Sequence, residues 1–257
     1  MKKLLLALVM TVACGLAAGQ GRTGNKQTGN EPPPVPKTGV RFVVLPGPGK
    51  ALPSPVYVKQ GKNFYRSVRL GSRTPSVRVT PTAGVVNFLE SDPMANAAGD
   101  EKGKTKELPE VKTVLSVKLQ DSFEKTLCIL TPTESGNPTI RLMNEADFPQ
   151  KGVHIINLST KALLMETSVK GDFSDKKVNL IKAGTKITKE NSWSFNEGAD
   201  GQAISFRLTT YAKEVKDRKT LRSSRFAVSA KQSQINVVVD NPRTGGVQFL
   251  SIQLTDN

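Results

Sequence analysis

The stretch AISFRLT, residues 203–209, alternates apolar and polar side chains with a period of two. In an extended chain Ile204, Phe206 and Leu208 lie on one face, and the serine and arginine between them lie on the other. The same alternation recurs in VLSVKLQ at 114–120 and in SQINVVVD at 233–240. A period of two is typical of a strand that buries one face, so these stretches predict β-sheets packed on an apolar core.

The rest of the chain from Val40 onward has the same β-forming composition. Short runs rich in valine and aromatic residues are separated by turn-forming segments such as NEGADG at 196–201 and DNPRTGG at 240–246. Many short strands at a spacing of roughly 8–12 residues predict an all-β fold, an antiparallel β-sandwich of the immunoglobulin-like kind. At most one or two short helices are expected, at 211–224 and near 160–168.

The N-terminus has the organisation of a secretory signal peptide. Two lysines precede an apolar run at 4–12 that is too short to span a bilayer. Small residues follow, and they favour cleavage before Gln20, which makes residues 1–19 the leader. The alternative is a lipobox in which Cys14 becomes the lipidated N-terminus. Either leader predicts export to the periplasm, the outer membrane or the cell exterior, with a membrane contact only if the chain is lipidated.

Two polar segments interrupt the β pattern. Residues 20–37 contain no apolar cluster and end near the run PPPVP, which predicts a disordered, proline-rich linker before a sandwich domain at 38–257. Residues 91–111 carry five acidic residues against three lysines. We interpret this second segment as a long surface insertion in the sandwich, and a boundary between two domains at this place is the alternative.

Charge is unevenly distributed along the chain. The sequence has 37 lysines and arginines against 22 acidic residues, a formal net charge of +15. Residues 38–89 contain eight basic residues and no acidic one, and residues 211–231 contain seven basic residues against two acidic ones. Such an excess favours anionic partners such as glycans or lipid headgroups. Few aromatic residues are interleaved with the basic ones, which disfavours nucleic acid.

The acid-free segment is richest in arginine at YRSVRLGSRTPSVRV, residues 65–79. A guanidinium suits phosphate, sulfate and carboxylate groups. The candidate binding residues are Lys62, Arg66, Arg69, Arg73 and Arg78. Alternation places Arg69 and Arg78 on the solvent side of a half-buried sheet, and they share a face with Lys62 if their two strands pair. Two other interpretations stay open: a charged edge that prevents aggregation, and a surface that holds the acidic residues of 91–111.

Few residues of this chain suit catalysis or metal binding. Cys128 lies in the apolar run KTLCILTP and is expected to be buried and unreactive. His154 is the single histidine, expected half-buried on a strand, so we expect no histidine-based zinc site, catalytic residue, metal or cofactor. A glycosidase built on two carboxylates needs no histidine. One tryptophan and three tyrosines are few for a glycosidase or an aromatic sugar-binding platform.

Two stretches carry a resemblance to a known group of proteins. One is YVKQGKNFYRSVRLGSRTPSVRV at 57–79, and the other is VHIINLSTKALLMET at 153–167 followed by LIKAGTKI at 180–187. Together they resemble immunoglobulin-like envelope proteins of mucin-associated gut bacteria, some of which are encoded beside type IV pilus assembly genes. The resemblance implies an immunoglobulin-like sandwich, an outer-envelope location and a structural or surface-interaction role. It supplies no functional residue that can be matched to this sequence.

These observations predict an exported, non-enzymatic β-sandwich protein with a structural, envelope-assembly or surface-interaction role. Its expected partners are components of the envelope or of a host surface. The alternative is a binder of anionic glycans or other polyanions through the arginine-rich segment. A carboxylate-dependent glycosidase is the third hypothesis.

Overall fold

Fifteen β-strands in four sheets occur in the residues that this computed structural model describes, 33–61, 64–95, 110–119, 124–147, 152–195, 203–227, 232–241 and 243–255. The strands are β1 Gly39–Val44, β2 Val56–Lys59, β3 Tyr65–Val68, β4 Val85–Leu89, β5 Thr113–Lys118, β6 Lys125–Thr131, β7 Thr139–Asn144, β8 Gly152–Asn157, β9 Leu163–Ser168, β10 Lys177–Ile181, β11 Ser192–Phe195, β12 Ala203–Thr210, β13 Thr220–Ala227, β14 Gln232–Asp240 and β15 Val247–Thr255. Three short 3-10 helices lie at Glu145–Asp147, Lys189–Asn191 and Val215–Asp217. The all-β sandwich class predicted from the sequence is confirmed.

The four sheets are stacked as four layers. The first outer sheet has the strand order β3-β2-β4-β5, and the first inner sheet has the order β1-β6-β7. The second inner sheet has the order β11-β8-β14-β15, and the second outer sheet has the order β10-β9-β12-β13. Three clusters of buried apolar side chains occupy the three spaces between successive sheets. The chain therefore forms two β-sandwiches that share a central apolar interface between their inner sheets.

Two strands of the inner sheets, β1 and β14, bury both of their faces. In β1, Val40 and Phe42 pack toward the first outer sheet, whereas Val43 packs toward the second inner sheet. In β14, Val238 packs toward the second outer sheet, and Val237 packs toward the first inner sheet. A strand that is covered on both sides needs no polar alternation, which explains why the β1 sequence GVRFVV is almost continuously apolar.

The two inner sheets share one connection plan. β1 runs parallel to β6, and β6 then forms an antiparallel pair with β7. Likewise β8 runs parallel to β14, which forms an antiparallel pair with β15. The other pairs of described strands are antiparallel. The predicted antiparallel sandwich therefore contains one parallel pair at the centre of each half.

The prediction of at most one or two short helices is confirmed, and neither of the two candidate stretches forms an α-helix. Residues 211–224 contain only the 3-10 helix Val215–Asp217 and then enter β13, which pairs with β12 along most of its length. Residues 160–168 end in β9, which lies between β10 and β12. Pairing with neighbouring strands outweighs the helical pattern of these short charged stretches, because local propensity is a small term beside tertiary packing.

The polar insertion and the N-terminal predictions lie partly or wholly outside the described residues. Residues 91–111 connect β4 to β5, which are adjacent antiparallel strands, and residues 96–109 within them are not described. Residues 1–32, with the predicted leader and Cys14, also lie outside the described part, so these stay predictions. None of the helices in the described ranges has the length and apolar character needed to cross a membrane.

Candidate functional site

The arginine-rich stretch 65–79 forms one strand and one irregular segment. β3 pairs with β2, not with the residues that follow it. The later segment runs beside β1, where Val79 forms a bridge with Val40 and the N–H of Ser76 donates to the carbonyl oxygen of Phe42 at 2.8 Å. The segment therefore covers the open edge of β1. The two arginine-bearing stretches do not pair with each other as strands.

Arg78 is buried, so the prediction that it lies on the solvent side was wrong. Only 7% of this residue is exposed. Its Nη2 donates to Oε2 of Glu145 at 2.8 Å, and its Nη1 donates to the carbonyl oxygen of Gly39 at 3.0 Å. The counter-ion lies 67 residues further along the chain, beyond any local pattern. Arg78 is therefore not available to an external anion.

Arg41 also binds Glu145, and the three charged side chains form what we call the Glu145 cluster, Arg41, Arg78 and Glu145. Arg41 donates from Nε to Oε1 at 3.0 Å and from Nη2 to Oε2 at 2.6 Å. Burial alone would raise the pKa of the Glu145 carboxyl, but the hydrogen bonds from both arginines outweigh it and hold this pKa below its ordinary value. The cluster ties β1 to the end of β7, which is a structural role.

Arg66 contacts the proline-rich end of the linker. Its Nη2 donates to the carbonyl oxygens of Pro33 and Pro34, the latter at 3.2 Å. Its guanidinium also lies 5.5 Å from the ring centroid of Phe64. The end of the linker therefore lies against the first outer sheet, and this candidate arginine is already engaged within the chain.

Arg69 and Arg73 remain exposed, whereas Lys62 lies outside the described residues. Arg69 directly follows β3. Arg73 lies in the next loop, where its carbonyl oxygen accepts a hydrogen bond from the N–H of Gln253 at 3.4 Å. Of the five candidate binding residues, the structure therefore places two as exposed side chains with no hydrogen-bonding partner among the described residues.

The second basic segment lies on the other outer sheet. Lys219, Arg222 and Arg225 are exposed on or next to β13, which is an edge strand of that sheet. The guanidinium of Arg222 lies 4.8 Å from the ring centroid of Phe249. Two inner sheets separate β13 from β3, and packed sheets are about 10 Å apart. β3 and β13 therefore lie in different outer sheets, whereas Arg73 and Arg222 both contact β15, Arg73 through Gln253 and Arg222 through Phe249.

Cys128 and His154 are core residues with no exposed surface. Burial raises the pKa of the Cys128 thiol to about 12, so the thiol is protonated and poorly nucleophilic at neutral pH. His154 is fully rather than half-buried, and its Nδ1 lies 2.8 Å from Oγ of Ser194 on β11. Within the described residues, no group of three or more histidine, cysteine, aspartate or glutamate side chains is arranged to hold a metal ion.

A cleft that the sequence did not reveal opens between β10 and β11. Trp193 and Phe195 line one side of it, and Asp175, Lys177 and Asn179 are among its other lining residues. The spacing of two between the aromatic residues was the available signal, because it places both on one face of a strand. The low number of aromatic residues in the sequence does not show that two of them lie together in a cleft beside charged side chains.

The chain matches no protein-family model and none of the curated proteins with which it was compared. The class that the structure establishes is an all-β protein made of two stacked sandwiches. Function is therefore inferred from the exposed charges, the sheet arrangement and the cleft described above.

Proposed function

We propose that this chain is an exported, non-enzymatic contact protein that joins two anionic surfaces of the bacterial envelope or of a host. The supporting observation is that β3, which Arg69 follows, and β13, which carries Arg225, belong to different outer sheets. A protein with one binding face binds to a single surface, whereas a protein with binding residues on two outer sheets can connect two surfaces. The predicted leader and proline-rich linker suit delivery and tethering of such a body.

The central interface suits this role because it links the two sandwiches through a large apolar contact. Ile129 and Leu127 of the first inner sheet pack in the same cluster as Ile235, Val237 and Ile252 of the second, and all five are fully buried. Complete burial of one such side chain contributes about 1.5–3 kcal/mol. The two outer sheets are therefore carried by one continuous core rather than by a flexible connection.

The exposed arginines of both segments are free to bind anions. Arg69 and Arg73, which follow β3, and Arg222 and Arg225 on β13 form no ion pair with the described residues. A guanidinium that has no internal carboxylate keeps its donors for sulfate, phosphate or carboxylate groups outside the protein. Exposed charges of this kind also speed association with an anionic partner.

Clustering of heparin-coated beads tests the proposal. Beads are mixed with the exported chain at physiological ionic strength, and bound protein and turbidity are measured in the same samples. We expect the protein to bind and to cluster the beads. The variants R69E/R73E and R222E/R225E each retain one basic surface, so they are expected to bind single beads without clustering them. The combined variant is expected to lose binding.

The matched control reverses the same amount of charge elsewhere. Lys112 and Lys118 are exposed near and on β5, and K112E/K118E is expected to cluster beads like the unchanged chain. Absence of binding by the unchanged chain would rule out a polyanion-contact function. Clustering that survives both arginine pairs would show that these side chains are not the contact surfaces.

A one-sided polyanion binder is the second candidate. The observation that favours it is the proximity in sequence of Arg69 and Arg73, which leaves both exposed around one turn. In that case R69E/R73E alone abolishes binding to the beads, and R222E/R225E has no effect. The same measurement therefore separates the two functions.

A further inference from the structure

The cleft between β10 and β11 has the dimensions of a site for a small ring. β10 is the edge strand of the second outer sheet and β11 is the edge strand of the second inner sheet, so the space between the two layers is open along this side. The cleft holds about 230 Å³. Pockets for drug-sized ligands hold roughly 300–1,000 Å³, so this one suits a smaller molecule, about one ring.

Two stacked aromatic side chains line one side of this cleft. Trp193 and Phe195 are two residues apart on β11 and pack toward the same core cluster. Their ring centroids are 6.2 Å apart and their planes are inclined by only 15°. Both residues are half-buried, so part of each faces the open space. The face of an indole ring packs well against the C–H groups on one side of a pyranose ring.

The opposite wall presents polar groups that the fold does not use. Lys177 and Asn179 lie on the same face of β10 as Ile181, which is buried in the core between the two sheets. Neither side chain makes a hydrogen bond or an ion pair with the described residues. Lys177 is exposed and Asn179 is half-buried, so both side chains reach the open space of the cleft. The donors and acceptors of these two side chains are therefore available to a ligand.

Asp175 adds a fixed acceptor to the lining of the cleft. Its Oδ1 accepts a hydrogen bond from Oγ of Ser168, and its Oδ2 accepts one from the N–H of Val169 at 3.3 Å. The bond from Ser168 lowers the pKa of Asp175, so its carboxylate is ionised at neutral pH. The negative charge of Asp175 and the positive charge of Lys177 balance within the cleft. In this respect the cleft differs from the basic outer surfaces.

We propose that this cleft binds one neutral sugar ring, with the apolar side of the ring on Trp193 and its hydroxyl groups at Asp175 and Asn179. A balanced site gives a charged ligand no net attraction, whereas hydroxyl groups can both donate to a carboxylate and exchange hydrogen bonds with an amide. Asp175 is the sole carboxylate among the described residues that line the cleft. The inference is therefore of binding without hydrolysis, since glycoside hydrolysis generally requires two carboxyl groups.

Tryptophan fluorescence tests this proposal directly, because Trp193 is the single tryptophan in the chain. The exported chain is titrated separately with glucose, galactose, mannose and N-acetylglucosamine. We expect a saturable change in emission with at least one of these sugars, at a Kd on the order of 1 mM. The variant N179A is expected to weaken that binding about tenfold, because it removes hydrogen bonds to the sugar and none to the fold.

The matched control lies on the same strand. Val178 points away from the cleft and is 51% exposed, so V178A is expected to leave the affinity unchanged. A flat titration with all four sugars up to about 100 mM overturns the proposal. So does a saturable signal that N179A leaves intact, or saturation by choline with no response to any sugar. The bead experiment probes other residues, so failure of the sugar site and failure of the proposed bridging function are separately visible.

Discussion

Glu145 and Glu166 each bind two basic side chains, but they do so in different surroundings. The arginines that bind Glu145 have side chains that are only 8% and 10% exposed. Glu166 on the second outer sheet binds Lys176 at 3.3 Å and Arg207 at 3.2 Å, and those side chains are 52% and 42% exposed. The two groups have the same composition, one acid with two bases, and their carboxylates are 7% and 15% exposed, so they differ mainly in the exposure of the basic side chains.

Burial decides what each group contributes. Exposed ion pairs contribute about 0–1 kcal/mol, because water already solvates both charges and salt screens them. In a buried group the charges have lost their hydration, so each depends on its partner, and removal of one partner is costly. A count of charges along the sequence does not distinguish the two groups. The buried group around Glu145 is expected to contribute much to stability, and the exposed group around Glu166 is expected to contribute little.

The largest effect is expected from Glu145→Gln. This change leaves two buried guanidinium groups beside a neutral amide, and the free energy of unfolding is expected to fall by about 3–5 kcal/mol. Urea denaturation followed by circular dichroism measures it. A loss below about 1 kcal/mol would mean that the cluster behaves like an exposed pair.

A triple replacement provides the control for E145Q. In R41M/R78M/E145M all three charges are removed together, so no uncompensated charge remains. Buried ion groups replaced in this way by apolar residues are often as stable as the original or more so. Recovery of most of the loss would show that the cost of E145Q comes from the stranded arginines rather than from lost packing.

The next largest loss of stability is expected at Gly39, whose carbonyl oxygen accepts a hydrogen bond from Arg78. Gly39 has φ of 109°, and a Cβ there would lie 2.4 Å from the carbonyl oxygen of Val79. Gly136 also has a positive φ, 87°, but a Cβ there would meet no atom within 4 Å. We expect Gly39→Ala to cost roughly 3 kcal/mol through strain and collision, and the control Gly136→Ala to cost about 1–2 kcal/mol through strain alone.

Equal losses of stability from the two alanine variants would show that the segment beside β1 moves to admit a methyl group. Thermal and urea denaturation of both variants, measured side by side, distinguish this outcome from the expected one. The backbone at Gly39, whose carbonyl oxygen binds Arg78, would then be able to move without a large loss of stability.

At acid pH, E145Q and the unchanged protein are expected to have the same free energy of unfolding. The folded-state pKa of Glu145 lies below its ordinary value of 4.5. Its stabilising contribution is therefore fully present above pH 4.5 and is lost as the pH falls toward the folded-state pKa. A protonated Glu145 resembles glutamine, so urea curves of the two proteins should converge below pH 4.5. A constant gap throughout the acid range would contradict this assignment.

The sequence could predict which face of a strand is buried where that face follows from the local alternation of apolar and polar residues. Ile204, Phe206 and Leu208 were expected on one inward face, and all three are buried. Arg78 follows the same alternation but is buried, because a glutamate from a distant turn and the edge of β1 provide its surroundings. Long-range packing of this kind leaves no trace in a local pattern.

The stacking of four layers was equally invisible in the sequence. Val237 and Val239 were expected to share a face, and both pack in the central cluster. Val238 between them is buried as well, since a second sheet covers the opposite face of β14. The cleft was missed for a related reason: Trp193 and Asn179 belong to different sheets, and only the packing of those sheets places them on facing walls.

The smallest effect is expected from Glu166→Gln. Loss of this carboxylate leaves Lys176 and Arg207 largely in water, and Arg207 keeps its contact with the ring of Phe173, 4.6 Å from the centroid. The free energy of unfolding should therefore fall by no more than about 1 kcal/mol, and the difference should shrink further in high salt because exposed pairs are screened. The loss caused by E145Q should persist in the same salt, since its charges lie away from solvent. If E166Q instead proves costly and insensitive to salt, exposure of the basic partners is a poor guide to the strength of a carboxylate group in this protein, and the distinction drawn between the two glutamates fails.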